Sequence, residues 1–575
     1  MYFGFKNNEK CSNFEISNTI GMEIYCINNR KTESFEPGIT FAQVFERFGI
    51  TLKSSPMCVC ANGKVMDLDA KVYEECDVEF LDATTSIGAR SYLLGLVFVL
   101  YKAVSELYPG GRIRVSNAIS KGFYCPVEIG RDLTDEDVTS ISERMGSIIG
   151  RNIPFIKHTA HTKDVADIME QAGRKDNVRL LRSIGAIYTS YYTLEDLPDW
   201  FFGVLPPNTG CLKVFGLEPM SGGVLVRLPD KHNPDQLEPL IRQDKMFEIF
   251  KEHHDWMRIL GFSTLGKLNQ AVAKGETNMI INVAEALQSQ KIVHIADQIV
   301  ERRNEGKGLK LIMVSGPSSS GKTTFSKRLM VQLMAHGLTP KVLSLDDYFL
   351  DRDHTPLDEN GEHDFESLYA IDLPFFNEQL KDLLAGKTIQ PPRFNFKKGG
   401  VREFTDPEMS LGDNDILLIE GIHALNPDLM PDIPADSRFL IYVSALTCIR
   451  IDQHNYIPTT DNRLLRRITR DHKYRSYSAQ DTIGRWASVR AGEEKWIFPY
   501  QENADVMFNS SLLYEFAVLK WKVEPLLRGV PEKLPEYSEA RRLLNFLEYV
   551  VPLQDDELPP TSVIREFLGG SSFKY

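Results

Sequence analysis

The chain has no low-complexity tract, no internal repeat, no block of like charges and no C-x-x-C pair in its 575 residues. The lack of compositional bias excludes a disordered or fibrous protein, because 42% apolar and 25% charged residues are ordinary globular values. Eight cysteines scattered over so long a chain do not make a disulfide framework, and free thiols in a reducing cytosol are the expectation. A formal net charge of −13 argues against nucleic-acid binding over the whole surface and leaves room only for a local basic patch. The opening residues, Met1-Tyr2-Phe3-Gly4-Phe5-Lys6, lack the charged-then-apolar order of a secretion signal. The strongest apolar run, 92–101, is about half of what a bilayer requires before Lys102 and Glu106 follow. The expected setting is therefore cytoplasmic, without a membrane partner. With about 100–200 residues per domain as a guide, the length implies three or four units.

One segment carries sharp chemistry. Gly316-Pro317-Ser318-Ser319-Ser320-Gly321-Lys322-Thr323-Thr324 follows the apolar run Leu311-Ile312-Met313-Val314-Ser315 and precedes residues 324–333, whose apolar positions recur at helical spacing. A triphosphate presents several anionic oxygens, which backbone N–H groups can grip only where side chains stay out of the way. Gly316 and Gly321 allow that close wrap. Lys322 reaches the terminal phosphates, Thr323 offers a hydroxyl to magnesium, and the helix start aims its positive end at the anion. Gly316, Ser318, Ser319, Ser320, Gly321, Lys322, Thr323 and Thr324 are the expected contacts of a nucleoside triphosphate. No Asn-Lys-x-Asp segment is present to read guanine.

Downstream, Lys341-Val342-Leu343-Ser344-Leu345 reads as a buried strand ending at Asp346. Ligands of an open parallel sheet sit beyond the carboxyl ends of its strands, so Asp346 either accepts a hydroxyl proton beside the phosphates or caps the turn that follows. Asp415-Ile416-Leu417-Leu418-Ile419-Glu420 is a second apolar run closing on an acid, and Glu420 can hold magnesium directly or through water. Arg463, Arg466, Arg467 and Arg470 recur at three- and four-residue spacing on one side of a helix, where like charges repel unless something compensates. They form either a lid over phosphates or a solvated face paired with Asp461 and Asp471.

Taken together, these words resemble the uridine kinase and phosphoribulokinase family of P-loop kinases over 310–529. The phosphate loop, Leu343-Ser344-Leu345-Asp346-Asp347-Tyr348-Phe349, Ile419-Glu420-Gly421-Ile422 and the Asp-x-Arg-Leu-x-Arg-Arg lid occur in the family's order. The resemblance implies an α/β kinase domain, a parallel sheet flanked by helices, that uses ATP and Mg2+ to phosphorylate a nucleoside. It assigns Asp346 as catalytic base, Lys322 and Arg466 to the transferred phosphate, Arg463 to the acceptor side, and Thr323 with Glu420 to the metal. The family's ribose-binding aspartate falls at Glu366, with Asp364 close by, and its aromatic-Asp-Phe segment for the base is Phe394-Asn395-Phe396. These departures leave ribose plausible and pyrimidine selectivity open, so another small hydroxyl acceptor, such as pantothenate or a sugar phosphate, is an alternative.

The N-terminal half resembles other families. Residues 1–85 alternate β-like runs with one helical stretch, and Pro37-Gly38-Ile39-Thr40 with the turn Asn62-Gly63-Lys64 resembles the β-grasp, ubiquitin-like TGS domain. Residues 86–230 resemble the α+β second additional domain of threonyl-tRNA synthetase in Lys121-Gly122-Phe123-Tyr124, Leu133-Thr134-Asp135-Glu136-Asp137 and Pro207-Asn208-Thr209-Gly210. That editing site uses an H-x-x-x-H pair with a later Cys and His. Its positions fall here at Gly88, Tyr92, Phe201 and Leu205, none of which ligates a metal. An inherited scaffold without editing activity is expected, and His158 and His161 have no completing ligands. RNA binding by this half is a further alternative, in which the nucleotide site serves as a switch. Residues 231–308 read as a helical connector and 531–575 as a C-terminal extension. Homo-oligomerisation is expected.

Overall fold

The computed structural model describes residues 21–306, 308–358, 361–395 and 400–574; the first twenty residues of the N-terminal unit and Phe396 of the aromatic segment lie outside them. The N-terminal sheet contains β1 (Met22–Cys26), β2 (Lys31–Phe35), β3 (Pro56–Ala61), β4 (Lys64–Met66) and β5 (Cys76–Asp82), in the order β2-β1-β5-β3-β4. β1 and β5 run parallel. Met22, Ile24 and Cys26 alternate inward along β1 and share a core with Phe41, Val44 and Phe48 of helix α1 (Phe41–Phe48). Thr40 and Gln43 form a reciprocal capping box at the start of α1. Asn62 and Gly63 both take positive φ, 46° and 72°, the twist that a two-residue hairpin turn between β3 and β4 requires.

Helix α2 (Ser86–Leu107) then runs through the centre of the second unit. At 22 residues it is twice the length of the apolar run at its heart, and it is long and apolar enough to cross a membrane. Its most apolar 18-residue window is instead 83% buried within the protein, against two antiparallel sheets and neighbouring helices. The four positions of interest in this unit are core. A side chain on Gly88 would strike the Asp82 carbonyl, Phe201 and Leu205 are buried, and the Tyr92 hydroxyl donates to Val214 O at 2.9 Å. His158 bonds Thr193 Oγ1 at 2.9 Å and stacks on Tyr191.

The third unit is built on five parallel strands, β6 (Leu311–Ser315), β7 (Thr339–Ser344), β8 (Asp415–Glu420), β9 (Arg438–Ser444) and β10 (Val506–Asn509), in the order β7-β8-β6-β9-β10. Both faces are covered, as a parallel sheet demands. Leu311, Met313, Leu417 and Ile419 face α5 (Leu373–Leu384), while Ile312, Val314, Ile416 and Leu418 face α3 (Thr277–Asn304) and α4 (Lys322–Ala335). The expected connector is helical, but its last helix is no linker. Ile292, Ile295 and Ile299 of α3 form one wall of this core, so α3 belongs physically to the layer beside the phosphate loop.

A buried ionic cluster ties the second unit to the third. Arg174 lies 3.1 Å from Asp199, and His454 bridges them, with Nδ1 2.5 Å from Asp199 and Nε2 2.9 Å from Arg174. Burial works to raise the Asp199 carboxyl, but Arg174 and His454 outweigh it and hold the group below its ordinary range. Removing one partner of such a cluster strands a charge in a low dielectric. Arg174→Met is expected to cost roughly 3–5 kcal/mol of stability, read by urea unfolding. A loss under about 1 kcal/mol would mean the cluster does not hold the two units together.

Candidate active site

The loop between β6 and α4 is shaped by three unusual backbone positions. Gly316 takes φ 154°, and a Cβ there would lie 1.9 Å from the Val443 carbonyl, so only glycine permits this crossing over β9. Ser319 and Gly321 also take positive φ, 59° and 84°, which turns the loop back over the start of α4. Lys322 Nζ donates to the loop's own Gly316 carbonyl at 2.8 Å. Burial draws its pKa below the ordinary lysine value, against the pull of Glu420, Asp346 and Glu566. Thr323 Oγ1 donates to Glu420 Oε1 at 2.6 Å, so the two expected metal contacts already meet. The hydroxyls of Ser319 and Ser320 are buried without a partner among the described residues. A helix start, a half-buried cation, a hydroxyl–carboxylate pair and unpartnered donors fit a magnesium–triphosphate.

Acids gather beyond the carboxyl end of β7, on the side where an acceptor is expected. Asp346 stands exposed in the short turn Leu345–Tyr348 beyond β7, and its charge acts on Lys322, Glu366 and Glu420. Glu366 Oε2 is buried and unpartnered among the described residues, and burial, aided by Glu493, pushes this carboxyl up to about 7. Helix α7 (Trp486–Trp496) reaches Glu366 only because residue 492 is glycine; a Cβ there would sit 2.2 Å from Glu366 Cβ. Asp364 has a local duty, its Oδ1 accepting from Glu366 N at 3.1 Å and fixing the turn. Phe394 is buried against Phe349, and its N–H donates to Asp347 Oδ1 at 3.1 Å.

The arginine helix α6 (Thr459–Arg475) departs from both expectations. It is neither an open lid nor a solvated face. Arg463 is 1% exposed and grips Glu493 at 2.7 and 2.5 Å, while Arg466 is 0% exposed and lies 2.5 Å from Glu515. Repulsion along the helix is relieved by these two glutamates from outside it and, as expected, by Asp471, which pairs with Arg467 and Arg470 at 3.2 and 3.5 Å, whereas Asp461 pairs with Arg542 instead. Arg466 also donates to Ser510 Oγ at 3.1 Å, and the Ser510 hydroxyl in turn caps the Ser320 carbonyl. Arg467 reaches a loop side chain, with Nη1 2.9 Å from Ser318 Oγ.

Residues 311–513 match the phosphoribulokinase/uridine kinase family. Over 203 residues, 35% of this chain and 87% of the relative, the sequence is 30% identical to the uridine kinase of Staphylococcus aureus (strain JH9), and equally to that of strain Newman. The chain belongs to this kinase family. Among solved structures, D-glycerate 3-kinase from Cryptococcus neoformans var. grubii is 15% identical, with 49% of this chain and 90% of that chain covered at a TM-score of 0.24.

Three carboxylates and one imidazole of this kinase were not legible as site residues. Glu493 accepts from the loop's Ser318 N–H at 3.1 Å, Glu515 holds Arg466, and Glu566 accepts from Thr324. Four arginines on one helix face were the available signal, since their burial demands carboxylates from elsewhere. His423, three residues after Glu420, is 1% exposed beside Trp496. Burial lowers its pKa to about 4, although the backbones of Ser367 and Glu366 favour the protonated form, so the kinase holds a neutral imidazole behind Glu366.

Proposed function

We propose that this kinase phosphorylates the 5′-hydroxyl of a nucleoside, uridine or cytidine first among acceptors. The observation that carries the reading is the grouping of Asp346 and Glu366 about Lys322 at the carboxyl edge of the sheet, close enough for their charges to act on one another. ATP, when bound, supplies the phosphoryl group, and Mg2+ neutralises its oxygens. Lys322 and the loop N–H groups hold the donor, and Thr323 with Glu420 would hold the metal. Asp346 accepts the proton of the attacking hydroxyl. Glu366, packed against Gly492 of α7, accepts hydrogen bonds from acceptor hydroxyls. Neither Arg463 nor Arg466 is free to take a phosphate in this arrangement.

The reading of Glu366 has a pH signature. Vicinal hydroxyls bond best to the carboxylate, and this carboxyl ionises near 7 rather than near its ordinary 4.5. Acceptor KM is therefore expected to rise as pH falls below about 7, approaching about tenfold per unit, and to be flat in Glu366→Gln. The stability sign is the reverse: the folded state keeps the proton that the unfolded chain gives up, so Glu366 favours folding below 4.5 and loses that contribution as pH rises towards 7. A KM that does not change with pH in the native enzyme removes Glu366 from the acceptor site.

Asn395, where the family's base-binding segment has aspartate, favours a second acceptor reading, a small hydroxyl compound other than a pyrimidine nucleoside. Release of ADP across a panel of nucleosides, pantothenate and sugar phosphates separates the two. In the N-terminal half, the strand order β2-β1-β5-β3-β4 with one covering helix supports a TGS-like β-grasp unit. The filled positions Gly88, Tyr92, Phe201 and Leu205 support a synthetase-like scaffold without editing chemistry.

A further inference from the structure

The C-terminal segment returns to the phosphate loop and occupies donors that a nucleotide needs. Glu566, on the short helix α8 (Arg565–Leu568), accepts from the Thr324 backbone N–H at 3.2 Å and from Thr324 Oγ1 at 2.7 Å. Thr324 lies in the first turn of α4, where N–H groups have no helical acceptor and draw anions. Val563 fills the space left by the missing side chain of Gly321, with Cγ1 2.6 Å from where a Cβ would stand. Two residues of α6 hold the segment from the other side. Lys473 Nζ donates to Leu568 O at 2.7 Å, and the Arg466 guanidinium lies 5.1 Å from the centre of the Phe567 ring.

The two carboxylates on the loop differ in how they are held. Glu493 is locked by Arg463 and Arg490 and is part of the fold. Glu566 is 8% exposed and forms no ion pair among the described residues; the Thr324 donors bond it directly, while the charges of Lys322 and Arg470 act on it from farther away. A single carboxylate held that way is exchangeable for an anion of higher charge that Lys322 can also reach.

We propose that 559–568 is an internal plug: Glu566 stands in for a phosphate oxygen at Thr324, and the donor nucleotide binds by displacing the segment. The apparent affinity for nucleotide is then the intrinsic affinity reduced by the fraction of molecules in which the plug is out. This inference rests on the phosphate loop being the donor site.

Two measurements on the full-length protein test it. In hydrogen–deuterium exchange of the native chain, saturating Mg-ATP should speed exchange across 559–568 while protecting 316–324. By calorimetry, Glu566→Ala should bind Mg-ATP at least about tenfold more tightly, because the plug loses its hold. Unchanged or slower exchange in 559–568, or unchanged or weaker binding in a folded Glu566→Ala, overturns the plug while leaving the donor site standing. Failure of both proteins to bind ATP overturns the donor site and the plug together.

Discussion

Asp346→Asn is expected to lower kcat by about a hundred- to ten-thousandfold with little change in nucleotide affinity, a loss of roughly 3–5 kcal/mol of transition-state stabilisation. The substitution keeps the size and hydrogen-bonding reach of the side chain and removes its ability to take a proton. Asp346 extends from the turn beyond β7, beside β8, whose last residue Glu420 pairs in register with Ser344. That register puts the two acids on one edge of the sheet, with Lys322 between them electrostatically. An asparagine leaves the loop, Lys322 and the Thr323–Glu420 pair as they are, so ATP binding by calorimetry should hold while ADP release with an acceptor collapses. Turnover within about threefold of the native value would remove Asp346 from proton transfer and shift attention to Glu366.

The loop, the acid-tipped strands and the strand–loop–helix order were legible because each is local. A run such as Leu311-Ile312-Met313-Val314 has few alternatives to a strand buried on both faces, and positive-φ glycines beside a lysine have few uses other than an anion. What sequence left hidden is long-range. The partners of Arg463 and Arg466 lie 30 and 49 residues away, in segments that carry no motif, and Glu566 is 242 residues from Thr324. Helix α3 was readable as a helix but not as a wall of the sheet, because its Ile280 and Ile281 pack in one core and its Ile292 and Ile299 in another. Likewise the apolar heart of α2 was visible, whereas the full 22 residues depend on Thr85 capping Gly88 and on neighbours that bury Ser91 and Lys102 on either side of that heart.

Charge placed against charge in this way makes α6 a structural brace before it is anything else. Arg466→Met should destabilise the protein by roughly 3–5 kcal/mol, because it strands Glu515, 0% exposed, whose other partners among the described residues are the neutral donors Asn462, Ser511 and the Leu512 N–H. Replacing both partners, Arg466→Met with Glu515→Gln, removes the stranded charge and keeps an acceptor for those donors, so most of the lost stability should return in urea unfolding. Turnover separates the two roles of the arginine. If Arg466 also neutralises the transferred phosphoryl group once α6 moves, the double variant regains stability but stays at least about a hundredfold slow. Recovery of both stability and kcat would confine Arg466 to holding the loop through Ser510, and Arg467, already 2.9 Å from Ser318 Oγ, would then be the arginine of α6 left to meet the phosphates.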